Sequence, residues 1–135
     1  MILRGHTVHA GKGEGEAIVT SIPFSFLGEL DPETGKVPSP SHELFGQTLV
    51  GKVLVFPTGK GSSTAPIIAW EAMKAGNLPK AIICIEAEPI VAAAAITANI
   101  PMVDKLDKNP LEVIKTGDYV RVNATEGIVE ILEKK

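Results

Sequence analysis

The chain has 135 residues, which suits one domain and allows roughly two-thirds of the unfolded surface to be buried. Hydrophobic residues make up 44% of it, as is typical of a globular protein, and this composition argues against disorder. The formal net charge is −3 and no basic stripe with interleaved aromatic residues is present, so nucleic-acid binding has little support.

Short strands and turn-forming residues make up the first part of the chain. Residues 2–10 and 16–21 are predicted as two short strands, joined by a glycine-rich turn at residues 11–15. Residues 23–44 are predicted to be mostly loop, because they contain Asp-Pro, Thr-Gly and Pro-Ser-Pro-Ser sequences. An ordered loop of this length is uncommon in a compact domain, and such loops are often functional.

The middle of the chain alternates between strands and helices. The pattern predicts a strand over residues 52–56, a helix over 62–75, a strand over 81–85, a helix over 89–99 and a short strand from residue 101. Gly76 is expected to end the first helix, whose buried stripe is predicted at Ile68, Ala72 and Ala75, with Ile67 beside it. This alternation predicts a parallel layer with right-handed crossovers.

The C-terminal part has the alternating pattern of a β-hairpin. Its strands are predicted over residues 118–123 and 127–132, beside the strands formed by the N-terminus. We therefore expect a single α/β domain over residues 1–135. It should have three layers: a mainly antiparallel sheet, a parallel sheet and helices.

Several kinds of site and location are excluded or disfavoured. Cys84 is the only cysteine, so this chain alone provides neither a disulfide framework nor the thiolates of an iron–sulfur cluster. His6, His9 and His42 have no metal-ligand spacing. The apolar stretch at residues 90–100 is too short to span a bilayer, and the start has no signal-peptide pattern, so a cytoplasmic location is the default expectation.

Two glycine-rich segments are candidates for ligand binding. Residues 11–15 precede a strand and not a helix, the reverse of the dinucleotide fingerprint, so we reject phosphate binding there. Residues 58–64, Thr-Gly-Lys-Gly-Ser-Ser-Thr, lie between a strand and a helix, but their lysine precedes the last glycine, unlike that of a P-loop. Anionic ligands do bind at such helix N-termini. Ser62 and Ser63 are therefore either N-caps or functional groups, and local sequence leaves both open.

The long loop is the third candidate. It contains Ser25, Phe26, Gly28 and Asp31. It is either a turn-rich surface loop held by aspartate and glycine, or a loop that faces a partner or the active site. The residues alone do not decide between these two interpretations.

Two motifs give the chain a resemblance to a known family. They are SFLGELDPETG at residues 25–35 and GKGSST at residues 59–64, supported by PKAII at 79–83, Ile-Pro at 100–101 and Thr-Gly-Asp at 116–118. With these motifs the chain resembles the small subunits of the aconitase X family over nearly its whole length. The resemblance implies a swivelling β/β/α domain that closes over a large catalytic subunit. It also implies a [4Fe-4S] cluster in that subunit, with no metal or cofactor bound by this chain.

The same resemblance implies a hydro-lyase reaction in which Ser62 is the proton acceptor. Lys60, Gly61, Ser63 and Thr64 are implied to bind a small anionic substrate. The helix N-terminus, backbone N–H groups and the Lys60 ammonium are expected to favour the Ser62 alkoxide. Ordinary aconitases have Gly-Ser-Ser-Arg at this kind of turn. Thr64 stands in the place of that arginine, which argues against citrate or isocitrate as the substrate.

The substrate and the function class each have alternatives. One family substrate is (R)-5-phosphomevalonate, dehydrated to trans-anhydromevalonate 5-phosphate in an archaeal mevalonate route to isoprenoids; the other is cis-3-hydroxyproline, in bacterial relatives. The free-standing small subunit and a thermophile-like composition favour phosphomevalonate. Swivelling domains also serve as mobile phosphohistidine carriers, but the turn here carries serines and no histidine. A non-catalytic interaction module is the remaining alternative.

Overall fold

The computed structural model of the chain describes residues 1–135 and contains eight strands and four helices. The strands are β1 (Ile2–Arg4), β2 (His6–His9), β3 (Lys12–Val19), β4 (Val53–Phe56), β5 (Ala81–Cys84), β6 (Met102–Asp104), β7 (Tyr119–Asn123) and β8 (Ile128–Glu133). The helices are α1 (Phe26–Glu29), α2 (Ala65–Ala75), α3 (Pro89–Thr97) and α4 (Pro110–Val113). Both α1 and α4 are single turns, and none of the helices combines the length and apolar character needed to cross a membrane.

Strand β3 belongs to two sheets. Its first part pairs antiparallel with β7, and together with β8 and β1 these strands form an antiparallel sheet. Its last part pairs parallel with β4, which continues through β5 to β6 in parallel order, with β2 as an antiparallel edge strand. The predicted parallel layer is confirmed, and so is the hairpin beside the N-terminal strands.

Two hydrophobic cores separate three layers. Val53 and Val55 of β4 belong to the core between the two sheets, whereas Leu54 and Phe56 belong to the core under the helices. One strand supplies both cores because successive side chains of a strand point to opposite faces. The prediction of a three-layer α/β fold is therefore confirmed. Because both faces of the parallel sheet are covered, its carboxyl edge is the part left for a site.

The glycine-rich segment near the N-terminus is not a turn, so that prediction is wrong. Three strands stand where two were expected, and Gly13 and Gly15 lie inside β3. A Cβ on Gly13 would lie 2.2 Å from the carbonyl oxygen of Lys80, and one on Gly15 would lie 2.4 Å from that of Gly51. The glycines allow two backbone segments to approach closely, a reason that is tertiary and not visible as a turn signal.

Helix α2 begins later than predicted, and its predicted stripe is confirmed only in part: Ala72 is buried and Ile68 is half-buried against the core, but Ala75 is not buried. It begins at Ala65, three residues after the expected start at residue 62, and it ends at Gly76 (φ +75°) as predicted. Ala75 is exposed, and Ile67, placed beside the stripe, is 55% exposed. The buried residues of α2 are Ala65, Ala69 and Ala72. Their small side chains let α2 pack closely against α3, which also buries alanines.

Candidate active site

The turn after β4 places Ser62 at the carboxyl edge of the parallel strands. The segment before α1 anchors this turn, because Phe24 donates its N–H to the carbonyl of Thr58 (2.9 Å) and its own carbonyl accepts from the Lys60 N–H (3.2 Å). Phe24 thereby forms a parallel bridge with Gly59. The long loop and the glycine–serine turn, which were separate candidates in the sequence, lie side by side in the structure. Crevices at the carboxyl ends of parallel strands are where ligands of α/β folds bind.

Ser62 adopts a left-handed backbone conformation. Its φ is +80°, and Gly61 before it has φ +89° with no atom within 4 Å of the place its Cβ would occupy. A left-handed conformation costs a residue other than glycine roughly 1–2 kcal/mol. Residues held in such conformations concentrate at functional sites, so the outlier supports a functional hypothesis for Ser62.

The hydroxyl groups of the turn are not used to cap the helix. Thr64 is the N-cap residue of α2, yet it has helical backbone angles and its side chain makes no capping hydrogen bond. The carbonyl of Ser62 accepts from the Ala65 N–H (3.0 Å), while its hydroxyl contacts only Thr64 Oγ1 (3.0 Å). The interpretation of Ser62 or Ser63 as a simple N-cap is therefore wrong. Neither serine hydroxyl makes a capping bond to α2.

Lys60 is held by a buried acid that the sequence analysis missed. Lys60 Nζ donates to Glu29 Oε2 at 2.6 Å, and the exposed fraction is 46% for the lysine side chain but 8% for that of Glu29. The pairing offsets the ammonium charge, so Lys60 favours an anion nearby less than was expected. The two residues are 31 positions apart, and only the fold of the loop brings them together.

Ser25 connects the long loop to the turn. Its hydroxyl donates to the carbonyl of Gly61 (3.1 Å), and its backbone N–H donates to Glu29 Oε1 (2.6 Å). Phe26 is completely buried and meets Phe24 edge to face, with ring centroids 5.4 Å apart. Its side chain anchors the loop in the core and does not itself reach a partner, and that this loop faces a partner or the active site stays a prediction.

The other two predicted loop residues do not reach the turn. Gly28 is exposed with φ +81°, and no atom lies within 4 Å of the place its Cβ would occupy. Asp31 closes a local turn: its Oδ1 accepts from the Glu33 N–H (2.9 Å) and its carbonyl accepts from the Gly35 N–H (2.7 Å). Asp31 therefore shapes the loop, and Gly28 is its open part.

His42 is the second residue of the site that the sequence did not reveal. Its ring is buried, and Nδ1 accepts from the Leu44 N–H at 3.0 Å, so the proton of the neutral ring lies on Nε2. Nε2 is 3.6 Å from Glu29 Oε2 and has no hydrogen-bond partner. In the sequence it was an isolated loop histidine, and no local signal pointed to the acid it faces.

The residues of this chain do not fit an iron–sulfur cluster. Cys84 lies buried in β5, and burial together with the negative charges of Asp104 and Glu88 raises the pKa of its thiol. A protonated, buried thiol is a poor metal ligand. No three side chains of histidine, cysteine, aspartate or glutamate converge on one point.

The turn is an open surface. Ser63 and Thr64 are exposed, and the largest cleft of the chain, about 450 Å³, lies elsewhere, beside Lys12, Lys80 and Arg121. A small molecule on the turn would therefore be enclosed only if a second surface covered it.

Comparisons with known proteins place the whole chain in one family. A family model described as the aconitase X swivel domain matches residues 2–131. A Thermococcus gammatolerans protein named phosphomevalonate dehydratase small subunit is 51% identical over 133 residues, covering 98% of this chain and 99% of its own. A Methanosarcina acetivorans protein of the same name is 47% identical over 133 residues, covering 98% and 92%. The crystal structure of Thermococcus kodakaraensis aconitase X (holo-form) matches with a TM-score of 0.92 and 49% identity, over 98% of this chain and 99% of that one.

Proposed function

The chain belongs to the aconitase X swivel-domain family, and we propose that it acts as the small subunit of a phosphomevalonate dehydratase, in which Ser62 is the proton acceptor. The relatives that support this function match almost the entire chain, so the matched region extends over the turn as well as the core. The names of these relatives favour phosphomevalonate over hydroxyproline as the substrate. The carrier alternative lacks its essential residue, since no histidine lies on the turn and His42 is buried.

One observation supports the role of Ser62 above all others. It is the left-handed backbone of Ser62 combined with a hydroxyl that caps no helix, on an open turn at the carboxyl edge of the sheet. A structural serine would relieve its backbone or use its hydroxyl locally. Ser62 keeps its left-handed backbone, and its hydroxyl contacts the Thr64 hydroxyl and no backbone group of the helix.

The proposed dehydration requires a base and a Lewis acid. Dehydration of a β-hydroxy acid removes a proton from carbon and a hydroxyl group from the neighbouring carbon. Ser62 would take the proton, which requires stabilisation of its alkoxide. The N-terminus of α2 contributes about 0.3–2 kcal/mol to this, and Lys60, already paired with Glu29, contributes less than a free cation would. A closed site without water must supply the rest.

The substrate contacts offered by this chain are uncharged. Ser63 and Thr64 are exposed and carry hydroxyls, and no atom lies within 4 Å of the place that a Cβ on Gly61 would occupy, so there is open space at the turn. Such groups are suitable donors to an anionic oxygen. Since Thr64 replaces the arginine of ordinary aconitases, charged recognition of the substrate falls to the large subunit or to a released Lys60.

The proposed reaction needs a contribution from the large subunit. A [4Fe-4S] cluster in the large subunit would supply the Lewis acid for the departing hydroxyl group. This chain contributes the proton acceptor and the cover that excludes water. The proposal also includes a cytoplasmic location and no binding to nucleic acid or membranes.

An anaerobic dehydration assay tests this function. The chain is co-expressed with its large subunit, and the complex and each subunit alone receive (R)-5-phosphomevalonate and cis-3-hydroxyproline separately. We expect dehydration of phosphomevalonate by the complex only. Turnover of hydroxyproline alone would mean that hydroxyproline, and not phosphomevalonate, is the substrate. No turnover of either compound by a complex with a full cluster would contradict the dehydratase function.

A further inference from the structure

We propose that Glu29 is a positioning residue that holds the Ser62 turn in its active conformation, acting through Lys60 and Ser25. This inference rests on the proposed role of Ser62. It concerns a residue that contacts neither the substrate nor the reacting hydroxyl. Its evidence is a buried network between the long loop and the turn.

Glu29 is the centre of that network. Its Oε1 accepts from the Ser25 N–H at 2.6 Å, and its Oε2 accepts from Lys60 Nζ, also at 2.6 Å. Ser25 links Glu29 to the turn, because its hydroxyl donates to the carbonyl of Gly61 at 3.1 Å. One carboxylate therefore tethers the two residues that immediately precede Ser62. Such charge-assisted hydrogen bonds are the strong ones in proteins.

His42 accounts for the fixed orientation of the carboxylate. Its protonated Nε2 faces Glu29 Oε2 at 3.6 Å and is the only buried side-chain donor or acceptor without a partner. A buried donor without a partner is costly, so its retention beside a carboxylate calls for an explanation. The explanation offered by the geometry is electrostatic: the Nε2–H holds the negative charge toward Lys60 and opposes rotation of the side chain.

The consequence for Ser62 is a backbone clamped on both sides. Glu29 holds residues 60 and 61, and the Ala65 N–H, at the start of α2, holds the carbonyl of Ser62 at 3.0 Å. Without the first clamp, Ser62 is expected to relax from φ +80° to an ordinary conformation and to carry its hydroxyl away. Positioning of this kind changes kcat and leaves the KM nearly unchanged.

The test is Glu29→Gln in the complex with the large subunit. The amide retains the shape but places a donor against either Ser25 or Lys60. We expect kcat to fall on the order of 10- to 100-fold, the range for a lost hydrogen bond to a charged group, with the KM for phosphomevalonate nearly unchanged. Glu33→Gln is the matched control, since Glu33 is an exposed acid of the same loop, and it should retain wild-type kcat.

Two further measurements separate positioning from other roles. In ¹H–¹⁵N spectra of the full chain alone, the amide signals of Gly61 and Ser62 should shift in Glu29→Gln and not in Glu33→Gln. Lys60→Met removes the hydrogen bond between Lys60 and Glu29 by changing its more exposed partner, so this variant replaces Glu29→Gln in the test if Glu29→Gln does not fold. It should also lower kcat, and the double variant should be no worse than Glu29→Gln alone.

Each contrary result has a distinct meaning. Unchanged kcat and unchanged Ser62 signals in folded Glu29→Gln would overturn the inference. A higher KM with unchanged kcat in Lys60→Met would overturn it too, because Lys60 would then bind the substrate. If the wild-type complex fails to dehydrate phosphomevalonate, the proposed function fails instead, and the amide shifts alone still decide whether Glu29 sets the turn.

Discussion

At the residue scale, the site depends on a serine held in a conformation that serine disfavours. The preceding glycine adopts a left-handed conformation without cost, whereas Ser62 has a Cβ and does not. A sequence selected for stability alone would place glycine at residue 62 as well. The presence of serine there, and not glycine, supports the proposal that its hydroxyl acts in the reaction.

The strain at Ser62 predicts an unusual order of stabilities. Ser62→Gly should be about 1 kcal/mol more stable than Ser62→Ala, because only glycine adopts φ +80° freely. Both variants lack the hydroxyl, so turnover by the complex should fall strongly in both. Urea unfolding of the chain measures the difference. Ser63, whose φ is not positive, is the control position, and glycine there should be no more stable than alanine. The same stability difference between glycine and alanine at both positions would contradict a strained backbone at Ser62.

At the element scale, the turn rests against the start of α3. Glu88 is the N-cap of α3, and its carboxylate accepts from the N–H groups of Ile90 (3.0 Å) and Val91 (2.6 Å). A Cβ on Gly59 would lie 2.4 Å from Glu88 Oε1 and 2.7 Å from Val91 Cβ. Glu88 is thus unable to move aside without losing the cap.

This contact predicts that Gly59→Ala impairs both stability and turnover. The added methyl group should cost about 1–3 kcal/mol of the free energy of unfolding, as overpacking does, and it should displace the turn that carries Ser62. Gly46→Ala is the control, because Gly46 has φ +79° but open space around it. It should lose stability and retain kcat in the complex. If Gly59→Ala keeps wild-type stability and kcat, the close approach of Gly59 to Glu88 and Val91 would be contradicted.

A second element-scale feature is the attachment of the C-terminal segment by Asp118. The carboxylate is fully buried and accepts from the N–H groups of Lys115 (2.8 Å) and Lys135 (2.9 Å), and from Lys134 Nζ. Burial by itself raises the pKa of Asp118, but these donors and the positive charge of Lys134 outweigh it. The pKa therefore lies below its usual value.

The lowered pKa predicts a pH-dependent loss in Asp118→Asn. At pH 7 the variant should lose about 1–3 kcal/mol of the free energy of unfolding, the range for hydrogen bonds to a charged group. A folded-state pKa below the unfolded value of about 3.9 means that the contribution is complete above that pH and disappears as pH falls through the folded value. Urea unfolding from pH 7 to 2 should show the two proteins converging in acid.

The control for this prediction is Glu112→Gln, which neutralises an exposed acid. It should stay within about 0.5 kcal/mol of the wild-type chain at every pH. A difference between Asp118→Asn and wild type that persists unchanged at pH 2 would contradict the electrostatic origin of the effect.

At the scale of the whole molecule, the sequence predicted the layers better than the site. Strands β4 and β5 are uniformly apolar, and Gly76 and Pro89 mark a helix end and a helix start, so local signals sufficed for the parallel layer. Gly13 and Gly15 resembled a turn because glycine signals both turns and close backbone approach. Only tertiary structure distinguishes the two uses.

The site shows the same limit more strongly. Local sequence suggested a functional turn, and the family resemblance selected Ser62 within it. Neither indicated that Glu29 pairs with Lys60 or that His42 faces the same carboxylate, because these contacts join residues far apart in the chain. The late start of α2, which frees the serine hydroxyls, was also not encoded in the helical pattern.

The most direct test of the central claim is the turnover of phosphomevalonate by the complex that carries Ser62→Ala. Turnover should fall on the order of 10²- to 10⁴-fold, the usual contribution of a general base, while folding and binding to the large subunit remain unchanged. Ser21→Ala removes an exposed hydroxyl without a hydrogen bond and should retain full turnover. Wild-type turnover in an intact Ser62→Ala complex would contradict the claim that Ser62 is the proton acceptor.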